Sequence, residues 1–410
     1  MTKVFIGLSD IASFIDDWNY GFKENGFKTI KGSLYYQTAI QNSHLDFIIQ
    51  KKLDKVGYFK PGRISEKFKP WWDKKVRSYY LKKMMAQCDV FVFIWNSFAA
   101  DFSDYEILKN NGKKIITVFV GDEVRWEPAM KQEFINANLP VFEYKDYDYS
   151  INSLNSRLKL LRTAEKYSDI ILSQPNIMQL ALRNYHNLHI PIVSNDYIEI
   201  KEQRLTPIII HAPTSIGKGT KEIELVIERL KNEGFDFIYQ CVQNVPREQA
   251  LSMYKNADMI IDQIQLPGGG KLAQECLAMG KVVLTHMAYQ SYNQKKPIDS
   301  PIIDVTAKNL YNELIKLIPD LELRTLIAAK GRAYVQKYHD PKKIVNEVLN
   351  MLKENKGNSH SEFKPTFFRE TFIPESSIAL MEYNKWNQYV SDCDWYKKSV
   401  MHGERAGLLF

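Results

Sequence analysis

The stretch "LPGGGKLAQECLAMGKVVL", residues 266–284, decides how this chain is read. Gly268, Gly269, Gly270 and Lys271 open a short helical pattern that runs to Met279, and the run 281–284 that follows is branched like a core strand. Glu275 falls inside the helix, four residues beyond Lys271 and so about one turn deeper. Helix N–H groups left uncrowded by side chains suit an anion. A carboxylate one turn further on can accept hydrogen bonds from a pair of vicinal hydroxyls. A phosphate beside a diol acceptor describes a nucleotide, although glycine turns before helices also serve as plain connections.

A second stretch supports the nucleotide. "HAPTSIGKGTKEIELVIERL", residues 211–230, has a strand end, a polar loop, and Lys218-Gly219-Thr220 at a helix start. It is not the phosphate loop of nucleotide triphosphatases, because Ala212 stands where that motif needs glycine and Gly219 where it needs serine or threonine. Neither stretch contains GxGxxG, which argues against a dinucleotide oxidoreductase. What remains is a lysine directed at the same sheet edge as the glycine turn. Two phosphate-suited helix starts in one domain suit a diphosphate.

Working outward, apolar runs alternate with helical patterns along most of the chain. Strands are expected at 4–8, 45–50, 89–95, 114–120 and 170–173, with helices at 11–24, 65–87, 102–110, 152–167 and 175–184. A second series starts at "TPIIIH", with strands at 206–211, 235–242, 259–262, 282–284 and 302–305. Its helices are expected at 220–232, 247–256, 272–279 and onward to about residue 353. Buried strands alternating with helices imply parallel sheets covered on both faces, so the fold class is α/β with two doubly wound, Rossmann-like domains. The expected division is 1–195, 196–353 and a tail 354–410, with a polar, irregular hinge at 190–203. Trp386, Tyr389, Trp395 and Tyr396 argue that the tail packs back on the domains.

Composition agrees. A chain of 410 residues, 45% hydrophobic, can bury two cores. No run of about 18 or more apolar residues occurs, and residues 1–7 lack the features of a secretory signal peptide. Cys88, Cys241, Cys276 and Cys393 form no CxxC pair and no ligand cluster with histidine, so free thiols in a cytoplasmic protein without a structural metal are expected. The charge is uneven. Residues 51–83 hold twelve basic and three acidic residues, a surplus of nine where the whole chain nets +7, which leaves −2 for the remainder. Tyr58, Phe59, Phe68, Trp71, Trp72, Tyr79 and Tyr80 lie in the same segment. An anionic membrane surface, a nucleic acid, and a solvated helix with its rings in the core are the three readings of that composition.

The stretch from about 211 to 339 resembles the donor-binding domain of retaining glycosyltransferases of the GT-B fold, of the large family-4 type that includes bacterial surface-polysaccharide enzymes. The residues that carry the likeness are "HAPTSIGKGT", "VPREQALSMYKNADMIIDQ" (245–263), "PGGGKLAQECLAMGKVVL" and "GRAYVQKYHD" (331–340), in a stretch that covers about a third of the chain. "KKIITVFVGDEVRW" (113–126) is similar to the Gly-x-Asp-x-Arg stretch of such enzymes. The resemblance implies two domains facing across a cleft and a metal-independent transfer of a hexose from a UDP- or GDP-linked sugar, with no separate cofactor. The implied acceptor is a glycan or a lipid-linked glycan, met in the cytoplasm or at the inner face of the membrane, with no nucleic acid as partner. By position it assigns Lys218 to the diphosphate, Gly269, Gly270 and Lys271 to the phosphates and transferred sugar, Glu275 to the ribose, and the backbone near Val245 to the base. Gly7 would let the first turn approach the donor, while Asp122, Glu123 and Arg125 are the catalytic candidates.

The chain departs from the family pattern at several positions, among them "GDEVR", where the expected acid is displaced by one place and leaves Asp122 and Glu123 as candidates beside Arg125. The first of its two glutamates is Pro267, the arginine five residues before the lysine is Pro213, and the acceptor-side histidine falls near Val120. These losses keep open a second reading, a catalytically inactive GT-B-like subunit that binds an acceptor or a protein.

Overall fold

The computed structural model describes residues 2–35, 45–50, 68–142, 147–183, 185–200, 202–289, 296–354 and 377–401. The chain divides into two compact units, Met1–Met130 with Asp148–Leu188 and Pro341–Phe410, and Lys131–Tyr147 with His189–Asp340.

In the first unit the strands are β1 (Lys3–Leu8), β2 (Lys28–Ser33), β3 (Phe47–Ile48), β4 (Val90–Ile94), β5 (Lys114–Val118), β6 (Ile170–Ser173) and β7 (His186–Asn187). Its helices are α1 (Phe14–Glu24), α2 (Lys69–Met85), α3 (Asp104–Asn110), the start of α4 (Glu127–Asn136), and α5 (Ile151–Tyr167). The sheet is parallel throughout, in the order β3-β2-β1-β4-β5-β6-β7. Every residue of β4 and β6 is buried, as expected of strands covered on both faces.

The sequence reading missed β2 because "KTIKGS" is polar. Of its two lysines, Lys31 is matched by the helix above it, pairing with Asp16 of α1 at 2.7 Å. Gly7 was expected in the turn after the first strand. It lies instead inside β1, where a Cβ would stand 2.4 Å from the Gly32 carbonyl of β2, so the missing side chain serves strand packing. The helix expected at 175–184 is only a short 3₁₀ turn at Pro175–Ile177, followed by irregular buried chain.

The second unit has β8 (Ile208–His211), β9 (Ile238–Cys241), β10 (Met259–Ile261), β11 (Val282–Thr285) and β12 (Ile303–Asp304), parallel in the order β12-β11-β10-β8-β9. Its helices are α6 (Thr220–Asn232), α7 (Arg247–Lys255), α8 (Lys271–Ala278), α9 (Leu310–Leu317) and α10 (Leu321–Tyr338). Ile209, Ile223, Ile227, Met259 and Leu284 centre its core. The segment expected as a polar hinge is tied down in this unit: Ile192 N donates to the His339 carbonyl at 2.8 Å, and Arg332 Nη1 to that of Tyr197 at 2.8 Å.

The chain then re-enters the first unit. Helix α11 (Pro341–Lys353), placed by the sequence reading in the second domain, packs on α1. Helix α12 (Ser377–Tyr389) of the tail lies along α5, with Trp386 Nε1 donating to Asn155 and Arg162 Nε to Asn387 Oδ1 at 3.2 Å. A last helix, α13 (Asp394–Met401), follows.

Of the basic segment, residues 51–67 lie outside the described residues, and the rest forms α2 with its cap Phe68. Tyr80 is in the core, stacked on Phe47 at 4.4 Å, but Phe68, Trp71 and Tyr79 are exposed. Among the described residues no helix is long and apolar enough to cross a membrane.

The α1–α11 contact is close because Gly21 is there: a Cβ would meet the Pro341 carbonyl at 2.4 Å and Val345 Cγ2 at 2.7 Å. Gly21→Ala is expected to lower unfolding free energy by about 1–3 kcal/mol through overpacking, although alanine is the better helix former. Urea denaturation of the variant checks this, and a stabilised variant would contradict the packing.

Candidate functional site

In the second unit, the functional candidates gather where β8 and β10 end. β10 runs into Asp262, fully buried, which receives the Lys218 ammonium on Oδ1. Its Oδ2 is buried without a hydrogen-bond partner among the described residues and faces the glycine turn, 3.5 Å from where a Cβ on Gly270 would stand. The Lys218 loop is fixed to the same strand end by Ile264 N to the Lys218 carbonyl, 3.2 Å, and Leu266 N to the Gly217 carbonyl, 2.9 Å.

Both helices that start here lack a side-chain cap. α6 begins after Gly219 and α8 after Gly270, and neither cap accepts a hydrogen bond through a side chain. The positive ends of both helix dipoles thus meet no side-chain cap and suit an anionic ligand. Gly219 sits at φ +77°, and a Cβ there would meet Ile264 at 2.5 Å; Gly268 sits at φ +97°. Only glycine takes such backbone without strain. The glycine turn is held from β11 by Gly268 N to the His286 carbonyl at 2.8 Å. Gly269 leaves room for Gln274, whose Nε2 would lie 3.1 Å from a Cβ at that position. Lys271 is buried at the head of α8.

Glu275, buried, is held by two groups to which the sequence reading gave no role. Arg247 Nη2 donates to its Oε1 at 2.6 Å and Tyr197 OH at 2.9 Å. Arg247 opens α7, two residues past the half-buried Val245, so the loop at Val245 and the Glu275 carboxylate are linked directly. The signal for Arg247 was its place in "VPREQ"; Tyr197 had none. His211, at the end of β8, is a third such residue. Its Nδ1 lies 2.8 Å from the Ile261 carbonyl and its Nε2 3.0 Å from Thr220 Oγ1, and burial lowers its pKa, so the ring is neutral near pH 7.

Asp122, Glu123 and Arg125 share one turn after β5 in the first unit. Asp122 is exposed and paired with the buried Arg125, whose carbonyl accepts from Arg157 Nε at 2.7 Å. Glu123 Oε1 accepts from Val120 N at 2.6 Å, while its Oε2 is buried without a partner among the described residues. Burial pushes this carboxyl up to about 7, against the weaker pull of its hydrogen bonds and of Arg125. Glu123 can therefore change protonation near neutrality.

No known protein family and no curated protein matches the chain by sequence. Solved structures do match its fold. Anabaena HepE, in complex with UDP and glucose, superposes with a TM-score of 0.53 at 10% identity, over 86% of this chain and 100% of its own. The chain has the GT-B fold. Sucrose-phosphate synthase from Thermosynechococcus elongatus gives 0.55 at 10% identity over 86% and 99%, and the catalytic domain of Arabidopsis thaliana starch synthase IV, bound to ADP and acarbose, 0.54 at 10% over 87% and 99%. At such identities the likeness is one of fold. A GT-B chain comprises two Rossmann-like domains, as the two parallel sheets here require.

Two outcomes follow from the charges. Removing Lys218 alone strands the Asp262 carboxylate in an apolar site, so Lys218→Met is expected to cost about 3–5 kcal/mol of stability. Lys218→Met/Asp262→Asn together should recover most of it, and equal losses in denaturant titrations of the two variants would break the proposed coupling. Glu123 has a folded pKa of about 7 against 4.5 unfolded. Its protonated form therefore contributes stability below about pH 4.5 that is lost as pH rises through about 7. Glu123→Gln should flatten that dependence, measured as the unfolding midpoint against pH; an unchanged slope would show the group to be ionised throughout.

Proposed function

We propose that this protein is a retaining glycosyltransferase that moves a hexose from a UDP- or GDP-linked sugar to a glycan or lipid-linked acceptor, in bacterial surface-polysaccharide or glycoconjugate synthesis. The observation that carries the reading is the strand edge of the second unit, where two uncapped helix starts, Lys218 and the glycine turn lie beside the locked carboxylate Glu275. The donor-side roles are proposed from the resemblance, and that geometry supports them. The diphosphate lies at the N-termini of α6 and α8 with Lys218 as its cation, Gly269, Gly270 and Lys271 border the phosphates and sugar, Glu275 takes the ribose, and the loop at Val245 takes the base. Transfer needs the departing diphosphate and the cationic character of the sugar to be stabilised. Helix dipoles and lysine supply positive charge there, which is why a metal-independent reaction is proposed.

For the first unit the proposal is narrower. Asp122, Glu123 and Arg125 act on the acceptor side, with Glu123 as the group able to hold or release a proton near pH 7. Gly7 is left out of the donor site, since packing against β2 accounts for it. A cytoplasmic enzyme with a lipid-linked acceptor would have to meet it at the bilayer, so peripheral contact with an anionic membrane belongs to the same reading.

A second reading, an inactive subunit of the same fold, is favoured by Pro267 and Pro213, which remove a carboxylate and a cation from the donor side. Thermal-shift titration with UDP-, GDP-, CMP- and dTDP-sugars, followed by nucleotide release, separates the two. Glu275→Gln and the double variant Lys218→Met/Asp262→Asn should each weaken donor binding roughly tenfold to a hundredfold, the worth of a charged hydrogen bond. Binding of no nucleotide sugar, or unchanged affinity in both variants, overturns the donor site. Tight binding without turnover on any acceptor favours the inactive subunit.

A further inference from the structure

We infer that the solvent face of α2 is a docking surface for an anionic lipid bilayer. The helix has two unlike sides. Tyr80, Leu81 and Met84 face the core, and Tyr80 stacks on Phe47. Phe68, Trp71, Lys75, Tyr79 and Lys82 recur at spacings of three and four and so lie along one stripe of the helix. All five are exposed, the three rings at 57–61%. A helix packed on a core ordinarily turns its rings inward and its charges outward. Here the outward side carries both.

Neither feature has a structural use among the described residues. Lys69, Lys74, Lys75, Lys82 and Lys83 make no ion pair there, while Arg77 is satisfied by Asp73 at 2.7 Å. Trp71 and Tyr79 touch their chain neighbours Trp72 and Tyr80 at 6.3 and 5.5 Å, and Lys75 lies over the Trp71 ring at 5.5 Å, which keeps ring and ammonium on the same side. Lys82 and Lys83 also suit the C-terminal end of the helix dipole, but that explains neither Lys75 nor the exposed rings.

Charge complementarity selects the occupant. Lysines without an ion pair among the described residues attract anions, and both nucleic acid and anionic lipid are polyanions. Phe68, Trp71 and Tyr79 share their stripe with Lys75 and Lys82, which fits the boundary of a bilayer, where aromatic rings bury at headgroup depth and lysines reach lipid phosphates. A duplex would meet the lysines and leave Phe68 in water. The surface gives the membrane contact of the proposed function a place on the chain and in that rests on it, but it needs nothing from the donor site, so the two are tested separately.

The test is co-sedimentation of the full chain with vesicles of phosphatidylglycerol and phosphatidylcholine, and with pure phosphatidylcholine, at low and high salt. Binding is expected on the anionic vesicles only and to weaken with salt. Lys75→Gln/Lys82→Gln should lower partitioning by roughly fivefold per lysine removed, and Trp71→Ala should lower it further. Met381→Ala, on the exposed face of α12, should bind as the parent does. All these side chains are exposed, so unfolding midpoints and UDP-sugar affinity should stay unchanged; loss of donor binding in the parent itself would count against the proposed function alone. No binding at low salt, equal binding to neutral vesicles, unchanged binding in the α2 variants, or tighter binding of duplex DNA or RNA than of vesicles overturns the inference.

Discussion

A carboxylate cannot sit ionised at the end of a buried strand without a counter-charge, and the geometry of the second unit follows from that constraint. Asp262 ends β10 fully buried, where desolvation would cost several kcal/mol if the charge were left alone. Lys218 supplies the opposite charge, which draws the loop after β8 onto the end of β10. That loop starts α6, and the chain leaving Asp262 starts α8. One buried ion pair therefore brings two helix N-termini, two glycine-bearing turns and a cation to one edge of the sheet. Oδ2 of the same carboxylate faces Gly270, so a bound phosphate would have to lie where Lys218 offsets the negative charge beneath it.

The rest of the site depends on backbones that approach closely. Gly331 of α10 stands where a Cβ would be 2.6 Å from the Leu277 carbonyl of α8, so the helix bearing Glu275 is seated directly on α10. Arg247 and Tyr197 then fix the carboxylate from two sides. Oε1 takes both donors, so the rotamer of the carboxylate is set before any ligand arrives. The first unit uses the same device twice, Gly7 against β2 and Gly21 against α11.

The tail is held by polarity as much as by rings. Arg162 and Glu165 of α5 are wholly buried and paired at 2.8 Å. Glu165 Oε1 also accepts from Leu182 N and Tyr185 OH at 2.6 Å, and Arg162 reaches Asn387 of α12. A buried pair like this adds little net stability, since desolvation offsets much of the attraction. It is strict about geometry, because a misplaced neighbour leaves a charge unsatisfied. The irregular segment after β6, where a helix was expected, is shaped by that requirement: its backbone N–H groups go to Glu165 in place of a helical ladder.

The sequence by itself determined the two parallel sheets, because apolar runs such as "VFVFI" and "IIIH" have no stable place except between layers of helices. It also determined the glycine turn and the Lys218 loop as helix starts beyond strand ends, since backbone freedom and helix starts are local properties. It did not determine β2, whose Lys31 is tolerable only because α1 places Asp16 above it, nor the return of α11 to the first unit. Tertiary structure alone decided that Arg247 and Tyr197 reach Glu275 from 28 and 78 residues away, and that Glu123 stands in an environment that raises its pKa. It alone decided, too, which side of α2 holds Phe68, Trp71 and Tyr79. Spacing tells which residues of a helix share a face, but only the packing of that helix tells whether the face meets core or water, and charge and burial depend on neighbours that the chain brings together from far apart.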